Sequence, residues 1–384
     1  MQYRPFGKLD WQVSALGFGA MRLPVLNDDS GTIDEPQAIA MIRAAIDGGV
    51  NYVDTAYSYH RGKGEGLVAK ALKEGYREKV RVATKMPSWL VKTPDDLDRL
   101  LDEQMSRLEI SKIDFYLLHS LNATHWKNYQ TLNIFDWAER QKADGRIGAF
   151  GFSFHDAYPV FEEIVNGYDA WDFCQIQYNY MDIDNQAGMR GLKLAAEKGL
   201  GVVVMEPLGG GALAKSPMPG TVDLIFADSN RQWRSAEWGL QWVWDQLEVS
   251  VVLSGMSTME QVQQNLESAS RSGAGSLNEE DHHVIEEVRQ AFHSLIPIPC
   301  TACEYCQPCP NDVFIPKIFS IYNNAIMYQE PGHGRWAYND IIKSENRADN
   351  CIECGLCEDA CPQQIEIIDW LKTAHSYLSE TGKS

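Results

Sequence analysis

The chain has 384 residues, of which 44% are hydrophobic, and its formal net charge is −19 at pH 7. This length suits one large domain with an appendage, and the hydrophobic fraction is sufficient for a packed core. The negative charge argues against nucleic-acid binding and against docking on anionic membranes, because both need a basic surface. The first residues contain no apolar segment typical of an export signal, and no apolar run approaches the ~18 residues that span a bilayer. We therefore expect a protein of the reduced cytoplasm.

Short β-rich runs alternate with amphipathic stretches from residue 13 to about residue 270. The predicted strands cover residues 13–21, 52–56, 81–85, 113–119, 147–154, 172–179, 201–208 and 250–256. The clearest helical patterns between them cover residues 36–47, 94–108, 188–198 and 235–246. Eight such units over ~250 residues match a (β/α)8 TIM barrel, in which the chemistry lies at the C-terminal ends of the strands. An open, doubly wound sheet is the alternative, but no Gly-x-Gly-x-x-Gly motif follows the first strand.

The pattern changes after residue 270, where a small-residue segment precedes a helix capped by Asn278. Pro297 and Pro299 then lead into a cysteine-rich region that also contains helical stretches. We predict three parts: a barrel over 1–275, a helical linker over 276–296, and a mostly helical, ferredoxin-like iron–sulfur domain over 297–384. The opening segment through Trp11 is expected to form a hairpin that closes the barrel floor.

Eight of the nine cysteines form two runs near the C-terminus. The first run is Cys300, Cys303, Cys306 and Cys309, and the second is Cys351, Cys354, Cys357 and Cys361. Three cysteines at gaps of two bind one [4Fe–4S] cluster, and a fourth, followed by proline, ligates the other cluster in two-cluster ferredoxins. The pattern therefore predicts one cluster on Cys300, Cys303, Cys306 and Cys361, and a second on Cys351, Cys354, Cys357 and Cys309. The first run is one residue short of the usual spacing before Cys309, so whether this cysteine reaches its cluster stays open.

A zinc site or a set of disulfide bonds could also account for so many cysteines. Structural zinc usually takes two separated pairs and does not need a triplet. Disulfides suit small secreted domains, and this chain is long. The ninth cysteine, Cys174, lies in an apolar stretch, where a free cysteine is usually a small core residue.

Four polar residues fall at or near the ends of three predicted strands: Asp54, Tyr59, Lys85 and His119. Reducing a carbonyl by hydride creates an alkoxide that needs a proton, and tyrosine is too weak an acid unless a cation lies close. Lys85 would supply that charge and favour tyrosinate, Asp54 would balance the buried ammonium, and His119 would orient the carbonyl oxygen. Each residue alone has a structural explanation, but the four together favour catalysis.

These residues resemble the aldo-keto reductases. The family's Asp-Thr-Ala-x-x-Tyr stretch lies at 54–59, with Gly62 and Glu65 at the family's spacing, and Lys85 and His119 end the third and fourth predicted strands. The resemblance covers most of the first ~270 residues, and the cysteine-bearing tail is similar to that of the iron–sulfur branch of the family. It implies an oxidoreductase that interconverts a carbonyl and an alcohol.

The resemblance also implies a nicotinamide cofactor, NADH or NADPH. Its implied contacts are Ser153 and Gln177 at the carboxamide, Pro207, Leu208 and Gly209 under the pyrophosphate, and Ser254, Gly255 and Asn265 toward the adenosine. Three residues depart from the family pattern: Phe154 replaces an asparagine, Met205 a tyrosine and Gln261 an arginine. These departures leave open the choice between NADH and NADPH, and they also leave open a flavin or no stable cofactor.

The combined features predict an oxidoreductase whose two clusters relay electrons to or from a ferredoxin or flavoprotein partner. One alternative is a nicotinamide-dependent carbonyl reductase whose clusters are structural or sense oxygen. Another is a non-enzymatic, redox-responsive regulatory subunit, because fold does not guarantee activity. Trp89, Asn122 and Trp126 are expected to line the pocket for a small carbonyl or alcohol substrate.

Overall fold

The computed structural model describes residues 1–27 and 29–380, and in this part of the chain eight parallel strands form a closed barrel. A hairpin of β1 (Tyr3–Phe6) and β2 (Leu9–Ser14) precedes it. The barrel strands are β3 (Leu16–Gly19), β4 (Tyr52–Asp54), β5 (Arg81–Met86), β6 (Ile113–Leu121), β7 (Ile147–Phe154), β8 (Phe173–Gln177), β9 (Gly201–Met205) and β10 (Val251–Ser254). They pair in chain order, and β10 closes the ring on β3. This confirms the predicted (β/α)8 TIM barrel.

Helices follow the strands. In chain order they are α1 (Glu35–Asp47), α2 (Gly64–Ala71), α3 (Pro94–Leu108), α4 (Ala123–Thr131), α5 (Ile134–Ala143), α6 (Tyr158–Asn166), α7 (Gly188–Glu197), α8 (Val222–Asp228), α9 (Ser235–Asp245) and α10 (Met259–Ser270). Two helices begin at capping residues that precede a proline: the Asp34 carboxylate accepts a hydrogen bond from the backbone of Gln37 at 3.2 Å, and Thr93 forms a capping box with Asp96. The helix starts were therefore readable from local sequence.

The first predicted strand, 13–21, is wrong in its extent. The Ser14 hydroxyl donates to the carbonyl of Leu16 at 2.7 Å and accepts from the backbone N–H of Asn51 at 3.0 Å. These bonds end the hairpin and turn the chain into β3, while Ala20–Arg22 form a 3₁₀ turn after it. No glycine or proline marks the turn between β2 and β3, so sequence punctuation could not reveal it.

The hairpin closes the N-terminal end of the barrel, as expected. Phe6 is fully buried, with its ring centroid 4.9 Å from that of Phe115 and 5.7 Å from that of Phe173. A Cβ at Gly201 would lie 2.4 Å from the Phe6 ring, so this position has room only for glycine. The barrel floor is thus an aromatic cluster, and the opposite, C-terminal end is free to carry chemistry.

The chain divides into two compact units. The first contains Met1–Gly211 and Ala236–Asn278, and the second contains Ala212–Ser235 together with the residues from Glu279 onward. Residues 212–235, which lie inside the predicted range 1–275, thus group with the second unit. The domain boundaries 1–275, 276–296 and 297–384 remain a proposal, and residues 381–384 lie outside the described residues.

The second unit is mostly helical. Beside α8 it contains α11 (Glu279–His293), α12 (Ile315–Met327), α13 (Pro331–Trp336), α14 (Leu356–Asp359) and α15 (Ile367–Ser379). The core between these elements includes Ile298, Ile318, Phe319, Tyr338, Leu371 and Leu378, and cysteines of both runs pack against it. Over the described residues, no helix combines the length and apolar character needed to cross a membrane.

Candidate functional site

Three strand ends and one turn bring the predicted catalytic residues together. Asp54 ends β4, Lys85 lies near the end of β5, and Tyr59 begins a short turn after β4. The Lys85 ammonium donates to the two Asp54 carboxylate oxygens at 2.7 and 2.8 Å and to the Thr55 carbonyl at 2.9 Å. The Tyr59 hydroxyl oxygen lies 3.5 Å from the same nitrogen. A proton donor therefore lies beside a buried cation.

The Lys85–Asp54 pair is an ion pair removed from water, with side-chain exposures of 1% and 3%. Burial disfavours the charged ammonium, but the attraction of Asp54 and its hydrogen bonds outweigh it, so the pKa of Lys85 is raised above its ordinary value. Lys85 therefore remains charged at neutral pH. Removing one partner of such a pair leaves an uncompensated buried charge and typically costs about 3–5 kcal/mol.

Two opposite effects act on the phenol of Tyr59. Burial raises its pKa above the ordinary value, and Lys85 only partly opposes this effect. The charge and the hydrogen bond of Lys85 lower the pKa of Tyr59, which is the direction that the sequence predicted, but burial outweighs them. The phenol keeps its proton, which is the state that a proton donor needs at the start of carbonyl reduction.

His119, on β6, completes the group. Burial, followed by the charge of Lys85 and the neighbouring His155 and His125, holds the pKa of His119 well below its ordinary value. Its imidazole is therefore neutral, and its Nδ1 is buried without a hydrogen-bond partner in the described part of the chain. The ring centroid lies 6.3 Å from that of Tyr59, so a carbonyl oxygen placed between the two rings could bond to both.

A second layer of polar side chains fixes the backbone of Lys85. Gln104 of α3 donates to the Lys85 carbonyl at 3.0 Å and to the Glu65 carboxylate at 2.7 Å. The Thr84 hydroxyl also donates to Glu65 at 2.7 Å, and Tyr116 donates to Gln104 at 2.7 Å. This network is fully buried and joins α2, α3, β5 and β6, so it holds Lys85 in one position.

The residues after Tyr59 hold an unusual turn. His60 and Arg61 have φ values of 52° and 53°, in the left-handed region that costs energy for residues with side chains. Contacts with the loop before α1 stabilise this turn: His60 Nδ1 lies 2.9 Å from the Ser30 carbonyl, and Lys63 donates to the Gly31 carbonyl at 2.6 Å. The loop therefore helps to position Tyr59.

The residues expected at the carboxamide already have partners. The Ser153 hydroxyl accepts from the backbone N–H of Ser120 at 2.8 Å and is buried. Gln177 donates to Asp182 at 2.9 Å and accepts from Gln186 at 3.0 Å, so both ends of its amide are occupied. The amide keeps one N–H donor and one acceptor lone pair beyond these two bonds, and a carboxamide could bind there.

The residues expected at the pyrophosphate and adenosine form two loops. Pro207, Leu208 and Gly209 follow β9, and Gly209 to Gly211 all have positive φ values, of 54°, 68° and 109°. Ser254 ends β10 and Gly255 follows it, and Asn265 donates to the Ser254 hydroxyl at 2.9 Å. Two of the three glycine N–H groups are used within the first loop, since Gly209 donates to the Glu206 carbonyl at 3.0 Å and Gly211 to the Leu208 carbonyl at 2.9 Å.

Arg22 lies between these two loops and was missed by the sequence analysis. A Cβ at Gly210 would lie 3.2 Å from its guanidinium, and one at Gly255 would lie 3.3 Å from its stem. The Ser257 hydroxyl donates to the Arg22 carbonyl at 2.8 Å, next to the start of α10. Arg22 has no carboxylate partner among residues 1–27 and 29–380. The one sequence feature that could have pointed to Arg22 is its position just after the first barrel strand.

The three residues expected to line the pocket have different surroundings in the structure. Trp89 is 43% exposed, and its ring centroid lies 5.2 Å from that of His119, so it flanks the site. Trp126 is 1% exposed and donates to Glu163, which makes it a core residue. Asn122 caps α4 by accepting from the backbone of His125 at 2.9 Å.

The eight C-terminal cysteines surround two cavities in the pairing that the sequence predicted. One cavity is lined by Cys351, Cys354, Cys357 and Cys309, with Cys306 also at its wall, and the other by Cys300, Cys303, Cys306 and Cys361. All cysteines are free, and no described group of three or more His, Cys, Asp or Glu side chains converges as ligands of a single ion. Within these sets, Cys309 lies with Cys351, Cys354 and Cys357.

Comparison with known families agrees with both parts of the chain. Residues 15–290 match the model of the aldo/keto reductase family, and residues 299–366 match that of a 4Fe-4S dicluster domain. The chain is an aldo-keto reductase. It is therefore an oxidoreductase of this family, and it carries a C-terminal 4Fe-4S domain.

Relatives of this aldo-keto reductase include enzymes of known activity. The NADH-specific methylglyoxal reductase of Escherichia coli is 25% identical over 76% of this chain and 99% of its own length. The L-galactose dehydrogenase of Arabidopsis thaliana is 24% identical over 77% of this chain and 96% of its own length. Among solved structures, an aldo-keto reductase of Bacillus halodurans in its holo form has a TM-score of 0.63 and 26% identity, and covers 75% of this chain and 96% of its own. An aldo-keto reductase from Klebsiella pneumoniae, solved in complex with NADPH, shares the fold with a TM-score of 0.60. It is 21% identical, and the match covers 74% of this chain and 93% of that one.

The neutral His119 of this aldo-keto reductase predicts a pH dependence of stability. Its folded pKa is below the unfolded value near ~6.5, so the unfolded chain takes up the proton first as the pH falls. The stability due to the neutral imidazole is present above pH ~6.5 and is lost at lower pH. In urea unfolding series from pH 8 to 5.5, His119→Gln should lose less stability on acidification than the wild type. The exposed His283→Gln should follow the wild type, and identical slopes for all three proteins would contradict the prediction.

Proposed function

We propose that this aldo-keto reductase interconverts a small carbonyl compound and its alcohol by hydride transfer, and that two [4Fe–4S] clusters relay electrons between the enzyme and a redox partner. The observation that carries the first part is the convergence of Asp54, Lys85, Tyr59 and His119 at one end of the barrel. The need for intact iron–sulfur sites favours a reduced, cytoplasmic setting.

The catalytic roles follow from the geometry. Tyr59 holds a proton and would donate it to the oxygen of the carbonyl as the alcohol forms. Lys85, charged and 3.5 Å from the Tyr59 hydroxyl, would stabilise the phenolate that remains. Asp54 keeps Lys85 in place, and His119, as a neutral imidazole, would donate a hydrogen bond to the same oxygen. Trp89 would cover the carbonyl compound on one side.

A nicotinamide dinucleotide would supply the hydride. Ser153 and Gln177 would hold its carboxamide, with the Gln177 amide oriented by Asp182 and Gln186. Pro207, Leu208, Gly209, Ser254, Gly255 and Asn265 would form its phosphate and adenosine contacts. We assign the pyrophosphate to the position of Arg22 between the two loops, because a guanidinium and the start of α10 both favour an anion there.

The relay rests on the second unit. Each set of four cysteines would hold one cluster, and Cys306 lines both cavities, which places the two cluster sites beside each other. A hydride carries two electrons, whereas each cluster transfers one electron at a time, so two clusters match the electrons of one hydride. A flavoprotein or ferredoxin partner could supply or take these electrons.

Tyr59→Phe tests the proposed proton donor. Removing the hydroxyl should lower kcat for reduction of a carbonyl such as methylglyoxal by about 10²–10⁴-fold, the typical contribution of a positioned acid. Nucleotide affinity, measured by quenching of tryptophan fluorescence, should stay nearly unchanged. Tyr57→Phe is the matched control, because the Tyr57 hydroxyl donates to Glu103 and not to the site. Equal kcat values for Tyr59→Phe and the wild type would refute the assignment.

Arg22→Met tests the pyrophosphate contact. Loss of one charge-assisted hydrogen bond costs about 1.5–3 kcal/mol, so the Kd values for both NADH and NADPH should rise by about ten- to a hundredfold. Arg140→Met, which changes an exposed arginine remote in sequence from these loops, should leave both values unchanged. If only the affinity for NADPH falls, Arg22 contacts the 2′-phosphate and not the pyrophosphate. If neither affinity falls, Arg22 does not contact the dinucleotide.

Anaerobic titration with NADH and NADPH tests the relay. The absorbance of the clusters should bleach, and each nicotinamide oxidised should reduce two clusters. Protein whose clusters have been removed with a chelator serves as the control for direct turnover with NAD(P)H. A protein that binds eight iron atoms yet shows no bleaching, and that turns over equally well without clusters, would support structural clusters and contradict the relay.

A further inference from the structure

One cysteine-lined cavity is bordered by apolar side chains that face solvent. Tyr305, Ile352 and Leu356 are 68%, 61% and 58% exposed, and all three line the cavity of the set that contains Cys351 and Cys354. We call these three residues the apolar rim. Among the described residues, no exposed large hydrophobic side chain lines the other cavity. The two cluster sites therefore differ in the surface that they offer.

Nothing in the described part of the chain indicates that the three side chains of the apolar rim help to hold the cysteines. Its three side chains lie between cysteines of the two runs, at positions where polar residues could also occupy the surface. Adjacent large apolar side chains exposed beside a functional group are typical of a contact surface for another protein. At such a surface the partner would come close to the cluster of this cavity.

The surroundings of the apolar rim are acidic. The two cysteine runs, residues 300–310 and 351–362, contain Glu304, Glu353, Glu358 and Asp359 and no lysine or arginine. Of these four carboxylates, Lys372 neutralises only Glu353, at 3.0 Å. Across residues 297–380 there are twelve acidic and five basic side chains. The four thiolates of each cluster add further negative charge, so the potential around the rim is negative.

We propose that the apolar rim is the docking surface for a small one-electron carrier protein with a basic contact face. Apolar contacts at the centre and charge pairs at the edge are the usual organisation of such an interface, and the charges steer the encounter. On docking, one electron passes between the cluster on Cys351, Cys354, Cys357 and Cys309 and the carrier: one centre is oxidised and the other reduced, and no bond changes. The proposal rests on the relay, and it makes this cluster the point of exchange.

Cytochrome c, a small basic haem protein, is the probe. Holoenzyme reduced with dithionite and freed of excess reagent is mixed with oxidised cytochrome c in a stopped-flow instrument, and haem reduction is followed. The second-order rate constant should fall by about tenfold or more as NaCl is raised from low to high concentration, because salt screens the attraction. The rate with ferricyanide, a small trianion, should rise with salt instead.

Two pairs of substitutions locate the surface. The double variant Ile352→Ser and Leu356→Ser removes apolar contact, and Glu304→Gln with Asp359→Asn removes charge. Each should lower the rate with cytochrome c several-fold and leave the rate with ferricyanide nearly unchanged. Leu247→Ser is the matched control, because Leu247 is a 79% exposed leucine of the other unit. Iron and sulfide content and the electron paramagnetic resonance spectrum must match the wild type, so that a lost cluster is not read as lost docking.

The outcomes separate this proposal from the relay. Electrons enter from dithionite, so the measurement does not require the barrel to exchange electrons with the clusters. A rate that is independent of salt, or unchanged in both double variants, would overturn the docking surface even if nicotinamide bleaches the clusters. A slower rate in both double variants supports docking even if nicotinamide does not bleach them. A concentration-dependent dimer that Leu356→Ser abolishes would assign the rim to a second copy of the chain and also overturn the proposal.

Discussion

The buried ion pair between Lys85 and Asp54 is the interaction on which the active site depends. Two charges held away from water are tolerated only when each is fully bonded, and the ammonium meets this condition with three oxygen atoms at 2.7–2.9 Å. This requirement fixes the ends of β4 and β5 relative to each other. The network around Glu65 and Gln104 then fixes the lysine backbone, so the charge is held in one place before any ligand arrives.

The two ends of the barrel differ in their role: the N-terminal end is filled by aromatic packing, and the C-terminal end carries the polar residues of the site. At the floor, Phe6 and its aromatic neighbours fill the interior, and the buried Tyr52 hydroxyl among them has no hydrogen-bond partner in the described part of the chain. At the opposite end, the buried Nδ1 of His119 also has no partner among the described residues, and His60 and Arg61 hold a strained turn. Backbone strain of this kind is tolerated at the functional ends of folds because the rest of the molecule is stable enough to bear it.

Sequence reasoning was strongest where spacing alone determines geometry. The cysteine gaps predicted which distant residues share a cavity, and the positions of Asp54, Lys85 and His119 at strand ends predicted their convergence, since parallel strands end at one rim. It failed where the answer depends on tertiary surroundings. The sequence predicted the direction in which Lys85 shifts the pKa of Tyr59 but not the larger, opposite effect of burial, and the burial of Trp126 depends on how α4 packs. The sequence analysis missed Arg22 because no sequence motif identifies an arginine that lies between two loops.

The two internal hydrogen bonds of Gln177, one to Asp182 and one from Gln186, have a consequence for how tightly the nicotinamide end can be held. Because these partners already orient the amide, a carboxamide that enters would gain direction from Gln177 but little net free energy. Most of the binding free energy of the dinucleotide would then come from its phosphates, which are the same before and after hydride transfer. Oxidised and reduced forms would leave at comparable rates, and neither direction of the reaction would be blocked by a tightly retained product.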